Sequence, residues 1–175
     1  MKVLAFAASS SKSSINKQLV TYACSLCTDA EIEIADLNDY ELPLFSVDRE
    51  AELGQPTLAQ QFFTLIGAAD ALIISFAEHN GSYTAAYKNL FDWCSRIDTK
   101  VFQNKPMVVL STSLGKRGGA GVMATILQSA PHFGGEVRAS LSVPSFNENF
   151  DSEVGKLSNP QLDRQLFEAI QTLIS

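Results

Sequence analysis

The chain has 175 residues, 46% of them hydrophobic and 18% charged, which suffices for one globular domain with its own core and excludes a disordered chain. Its formal net charge of −6 repels phosphate backbones and excludes general nucleic-acid binding. No stretch is apolar for long enough to span a bilayer, and three cysteines, Cys24, Cys27 and Cys94, are too few for a disulfide framework.

Val3 to Ala7 is a short apolar run that stops at Ser9-Ser10-Ser11-Lys12. It reads as a strand buried on both faces and not as a signal peptide, so the protein is expected in the cytoplasm. From Ile15, apolar residues recur at Leu19, Ala23 and Leu26, a helical stripe that Ser13 or Ser14 would cap. Ile32 and Ile34 alternate with Glu31 and Glu33, the pattern of a half-exposed strand near a sheet edge. Asn38 to Gln55 reads as a long loop holding Tyr40, Pro43 and Phe45, and such loops are often functional or interfacial.

Pro56 opens a helix with Leu58, Phe62, Leu65 and Ile66 on one side. Ala71 to Phe76 is the clearest buried strand, followed by a polar loop and a helix marked by Tyr87, Leu90, Phe91 and Cys94. Met107 to Leu110 is the next strand; it runs into Ser111-Thr112-Ser113, a glycine-rich turn and a helix through Met123, Ile126 and Leu127. A weaker strand spans about Val137 to Val143, and the last helix carries Leu162, Leu166, Ile170 and Leu173. The stretch from Pro144 to Ser158 fits no element of this pattern.

Strand and helix thus alternate five times, which implies a parallel sheet with helices on both faces. Five strands favour a flavodoxin-like α/β three-layer sandwich of order 2-1-3-4-5, one domain over residues 1–175. In such a sheet ligands bind outside the carboxyl ends of the strands, at the switch point. Three loops meet there. The first, Ser9 to Asn16, offers hydroxyls, backbone N–H groups and the charge of Lys12 at a helix N-terminus, the setting for a phosphate or for an ordinary capped turn. The second, Glu78 to Tyr83, has polar groups for the edge of a flat ring, or is a plain connection turning at Gly81. The third, Ser113 to Gly121, has four glycines that let backbone approach a ligand, or that simply loosen a surface loop.

At these loops the sequence resembles the NADPH-dependent FMN reductase family, with its related quinone, chromate and azo reductases. Glu78, Asn80, Gly81, Ser82, Lys88, Asn89, Asp92 and Trp93 fall on a family pattern like P-E-Y-N-G-S-x-x-x-x-L-K-N-x-x-D-W, with Ala77 for its proline and His79 for its tyrosine. Ser9, Ser14 and Asn16 fall on the first-loop pattern G-S-x-R-x-x-S-x-N, where Ala8 replaces the glycine and Ser11 the arginine. The resemblance implies FMN as cofactor and NADPH or NADH as co-substrate. It places the FMN phosphate on Ser9, Ser11, Lys12, Ser14, Ile15 and Asn16, and the flavin ring against Ala77, Glu78, His79, Asn80 and Gly81. Ser113, Gly115 and Gly118 would flank the ring, with Lys116 or Arg117 available to a nucleotide phosphate. It further implies hydride transfer from NAD(P)H to FMN, then electron transfer to a flavin, quinone or other small acceptor, in a homodimer or homotetramer. Asn38–Gln55 and the Tyr87–Ile97 helix are candidates for the subunit contact.

The cofactor carries that chemistry, so no catalytic side chain is assigned; His79 is the nearest proton donor. Cys24-x-x-Cys27 sits near a helix C-terminus, the wrong end for a reactive thiolate, and reads as core. His79 and His132 form no metal-ligand spacing with the cysteines. Two other readings stand on the same fold: a flavodoxin-type electron carrier, and an interaction protein that has lost its flavin.

Overall fold

The computed structural model describes residues 1–174, with the side chain of Ile174 left out. Five strands, β1 (Lys2–Ala8), β2 (Glu31–Ala35), β3 (Ala71–Phe76), β4 (Lys105–Thr112) and β5 (Gly135–Val143), pair in parallel in the order β2-β1-β3-β4-β5. This is the expected 2-1-3-4-5 order. Helices α1 (Ile15–Ser25) and α7 (Pro160–Ile174) cover one face; α3 (Thr57–Ala68), α4 (Ala85–Ser95) and α5 (Ala120–Ser129) cover the other.

Side chains alternate across a strand, so a strand covered on both faces must be apolar at every position. In β1, Val3, Ala5 and Ala7 pack under α1 and α7, while Leu4, Phe6 and Ala8 pack under the other three helices. β3 divides in the same way, with Ile73 to one core and Leu72, Ile74 and Phe76 to the other. β2 lies at an edge, with Ile32 half-buried and Ile34 41% exposed, which is why its sequence alternates. β4 runs two residues past its apolar stretch because the buried Ser111 and Thr112 hydroxyls are satisfied, Ser111 Oγ donating to Gly118 O and Thr112 Oγ1 to Val143 O.

Two stretches differ from expectation. Asn38–Gln55 is not a plain loop. It contains a 3-10 turn (Leu37–Tyr40), which the Asp36 carboxylate caps at Asn38 N, and α2 (Val47–Leu53), which Ser46 Oγ caps at Arg49 N and Gly54 ends at φ +67°. The signals were Ser46 ahead of the acidic first turn Asp48 and Glu50, and Gly54 after it. The Pro144–Ser158 stretch folds as α6 (Phe146–Asn149) and a small hairpin, β6 (Phe150–Asp151) with β7 (Lys156–Leu157). Phe146 and Phe150 are stacked with centroids 4.6 Å apart and are buried with the α1–α7 core.

Candidate functional site

The loops leaving β1, β3 and β4 enclose a cleft of about 320 Å³ at the carboxyl edge of the sheet, where β1 separates β2 from β3 and the chain direction of the winding reverses. Ser9, Ser11, Ser14, Ile15 and Asn16 line it from the first loop, Ala77, Glu78 and His79 from the second, and Ser113 from the third. Ser13 and Leu114, within the expected loops but not named by the resemblance, line it too, as does Thr112 at the end of β4. Lys12, Asn80, Gly81, Gly115 and Gly118 do not, for reasons that each loop supplies.

Ser14 is the N-cap of α1; its Oγ accepts from Lys17 N at 3.2 Å. The amides of Ile15 and Asn16, in the first turn, have no carbonyl within the helix to bond. They belong to residues of the cleft wall, and the positive end of the helix dipole favours an anion there. Ser11 N donates to Ser9 Oγ at 3.2 Å, which folds the serine loop back on itself. Lys12 is exposed and lines a neighbouring hollow on the α1 side instead of the cleft.

The Asn16 side chain is directed into the protein. It is 3% exposed; its Nδ2 donates to Thr112 O at 3.2 Å, and its Oδ1 accepts from Thr112 N at 3.1 Å and Ser75 Oγ at 2.8 Å. One amide therefore joins the first loop to the ends of both β3 and β4. Its contribution to the cleft is through the backbone, while the side chain fixes the geometry of the loops.

In the second loop His79 and Ser82 exchange backbone bonds, His79 N to Ser82 O at 3.0 Å and Ser82 N to His79 O at 3.1 Å. Asn80 and Gly81 make the turn, both with positive φ, +53° and +80°. Asn-Gly is the pair that such a two-residue turn demands, and it lifts both residues away from the cleft. Glu78 Oε2 accepts from Val122 N, in the first turn of α5, at 2.7 Å. The carboxylate satisfies a free helix amide and sits at the positive end of that helix. A Cβ on Gly121 would lie 2.6 Å from the same oxygen, so the glycine admits the carboxylate.

The third loop is held firmly. Ser113 O accepts from Phe146 N at 3.0 Å, and Gly115 O accepts from Ser145 N at 2.9 Å, with Ser145 at φ +42°. A Cβ on Gly118 would lie 2.9 Å from the backbone of Val143 and Pro144, so this glycine serves close packing against β5. Gly115 turns its carbonyl to Ser145 and is exposed beside the cleft. Leu114, 65% exposed at the cleft wall, presents an apolar face there. Lys116 and Arg117 are exposed.

Burial pushes the Cys24 and Cys94 thiols up to about 12 and the Cys27 thiol up as well, so all three stay protonated at neutral pH. Among the described residues no group of three or more His, Cys, Asp or Glu could hold a metal ion, and no helix is long and apolar enough to cross a membrane. The α1 N-terminus, with the positive end of its dipole, and the side chains of His79 and Leu114 thus share one cleft.

Residues 1–148 match the family model described as NADPH-dependent FMN reductase. An NAD(P)H-dependent FMN reductase of Pseudomonas aeruginosa is 36% identical over 121 residues, 69% of this chain and 64% of that one. An NAD(P)H:quinone oxidoreductase of Solanum tuberosum is 32% identical over 123 residues, 68% of this chain and 62% of that one. The matched stretch thus spans less than two thirds of either relative. Among solved structures, the flavoenzyme NAD(P)H:(acceptor) oxidoreductase FerB of Paracoccus denitrificans shares the fold with a TM-score of 0.78 and 23% identity, over 99% of this chain and 94% of that one.

Proposed function

The chain belongs to the NADPH-dependent FMN reductase family, and from that premise we propose that it binds FMN in this cleft and reduces a small acceptor, such as a quinone or a free flavin, at the expense of NADPH or NADH. The observation that carries the reading is the junction of an anion-ready helix N-terminus with two fixed loops in one cleft. FMN, when bound, would supply the redox chemistry, a two-electron transfer between a nicotinamide and the acceptor. The chain's own residues bind and orient. Ser9, Ser11 and Ser14, with the amides of Ile15 and Asn16, would hold the phosphate, and Ala77, Glu78, His79 and Ser113 would hold the ring. Lys12, at the loop's outer side, adds long-range attraction for the phosphate. Leu114 would offer an apolar contact at the cleft wall.

The replacement of the family's first-loop arginine by Ser11 leaves the site without a bidentate phosphate ligand. Affinity for FMN then rests on backbone N–H groups and hydroxyls. The surface next to the site supports a subunit contact, as Leu44 and Val47 are 79% and 74% exposed at the start of α2 and its approach. A homodimer or homotetramer would cover them. Three free, buried cysteines accord with a cytoplasmic home.

The test is the visible spectrum of the protein after incubation with FMN and desalting, followed by anaerobic NADPH. Retained flavin bands that bleach on NADPH addition are expected. A folded protein that binds no FMN and oxidises no NADPH in its presence would overturn the reading. Flavin bands that NADPH does not bleach would favour an electron carrier.

A further inference from the structure

A groove of about 250 Å³ runs between α4 and α5 and shares no wall residue with the cleft. Aromatic rings shape it: Tyr83, Tyr87 and Phe91 from α4 and its approach, Phe102 ahead of β4, and Phe133 beyond α5. These rings pack on one another edge to face or tilted. Phe91 stands 4.8 Å from Phe133 and 5.7 Å from Phe102, and Tyr87 lies 5.1 Å from Tyr83 and 5.8 Å from Phe91, centroid to centroid. An apolar cavity of about 150 Å³ takes a benzene ring, so this groove has room for a ring or a fused pair of rings.

The polar side chains of its wall are already paired, with a single exception. Tyr83 and Ser129 share a hydroxyl–hydroxyl bond of 3.0 Å. Lys88 Nζ donates to both Asp92 carboxylate oxygens, at 2.6 and 2.8 Å, while Ser95 Oγ donates to Asp92 O and Thr125 Oγ1 to Gly121 O. The exception is Tyr87. It is 3% exposed, and its hydroxyl, closed off from solvent, has no hydrogen-bond partner among the described residues. Folded proteins leave few buried polar groups in that state, because a hydroxyl that gives up water for no new partner loses its hydrogen bonds outright. Burial, and after it the neighbouring Tyr83 hydroxyl and Cys94 thiol, push the Tyr87 phenol well above its ordinary value, so it stays protonated and able to donate.

We propose that this groove is a second binding site, for a small neutral aromatic ketone whose carbonyl oxygen accepts from the Tyr87 hydroxyl. The ligand reaches that hydroxyl by parting Tyr83 and Phe91, which line the groove, rest on the Tyr87 ring and are only partly buried. Each property of the guest follows from the wall. Rings that meet edge to face or tilted favour another flat ring among them. Lys88 and Asp92 neutralise each other at the rim, so the wall calls for no charge on the ligand. A lone unpartnered donor lies at depth, so the ligand needs an acceptor there and is apolar elsewhere, the usual division of labour in a small-molecule pocket. The inference is independent of the flavin reading above, since the cleft and the groove have separate walls.

The test is a ligand-observed NMR titration with indanone and with indane, its hydrocarbon counterpart, on the parent protein, Tyr87→Phe and Thr125→Trp. In the parent the ketone is expected to bind about fivefold or more tighter than the hydrocarbon. Tyr87→Phe keeps the ring and should shrink that preference to less than about twofold. It should do so without lowering the melting temperature, because the hydroxyl it removes has no partner. Thr125→Trp fills a position on the groove wall that is absent from the cleft, and should weaken both compounds about tenfold or more. Circular dichroism verifies that both variants are folded. Binding of neither compound, equal binding of the two, or a preference that survives Tyr87→Phe would overturn the proposal. Binding that Thr125→Trp leaves unchanged would also sink it, by placing the ketone elsewhere. The same holds for a Tyr87→Phe protein that melts several degrees lower, which would give the hydroxyl a partner within the chain. Finally, sedimentation of Ser95→Arg, at the groove rim, checks the rival occupant: a parent dimer that this variant dissociates would assign the groove to a second copy of the chain and end the proposal.

Discussion

An asparagine amide pairs with a backbone peptide group through one donor and one acceptor, and Asn16 makes this pairing with Thr112 while still accepting from Ser75. Asn16→Ala leaves the Thr112 N–H and C=O and the Ser75 hydroxyl buried without partners, and is expected to lower the unfolding free energy by about 2–4 kcal/mol in a urea melt. Glu78 is a second single-residue link. Glu78→Gln keeps an acceptor for Val122 N and is expected to cost well under the roughly 1–2 kcal/mol of Glu78→Ala, with FMN affinity falling in the same order. At Asp36, the hydrogen bond from Lys17 and then the Asn38 amide hold the carboxyl down at about 2. A depressed folded-state value means that the stabilisation is present above the ordinary carboxylate range and disappears as pH falls through about 2. The pair is partly exposed, so it amounts to less than about 1 kcal/mol. The stability gap between the parent and Lys17→Met, followed by urea midpoints, is expected to close between about pH 4 and pH 2. Of these roles the sequence displayed the residues, because Asn16 and Glu78 sit on recognisable motifs. It did not display their partners, since Thr112 and Val122 come from loops far along the chain.

At the level of elements, strands and helices announce themselves when their burial is complete. β1, β3 and β4 each carry an apolar run for the simple reason that both faces are covered, and α1 was legible to within one residue of its cap, which the sequence left between Ser13 and Ser14 and the structure gives to Ser14. Short elements held by tertiary contact were not legible. The approach to α2 lies on α4: Trp93 Nε1 donates to Pro43 O at 2.7 Å, and Asn89 donates to Leu42 O and Pro43 O while accepting from Phe45 N. Trp93→Phe keeps most of the ring in the core and removes the donor; it is expected to cost about 1 kcal/mol and to speed limited proteolysis within residues 42–53 relative to the rest of the chain. The α6 turn and its hairpin fit no sequence pattern for the same reason. Phe146 and Phe150 are core residues, but they are spaced for neither a long helix nor a regular strand.

Across the whole molecule the sheet divides two apolar layers, and stability follows depth in them. Phe6, fully buried and edge-to-face with Phe62, is expected to cost about 3–5 kcal/mol on truncation to alanine, against less than about 1 kcal/mol for Ile34 on the exposed edge of β2; thermal melts of the two variants check the contrast. The same layering explains why the place of the site was legible before its walls were. Parallel winding dictates where the loops converge, whereas which side chains face inward depends on turns such as Asn80-Gly81 and on the packing of Gly118. The bonds of Asn16 reach across 59 and 96 positions of chain, to β3 and β4. They close only after the three central strands have docked, so the ligand cleft is a late product of folding, absent from any partly assembled sheet. The Thr112 amide records this directly: its proton should exchange with deuterium at the slowest rate in the protein, through global opening alone, and the loop serines around it many orders of magnitude faster.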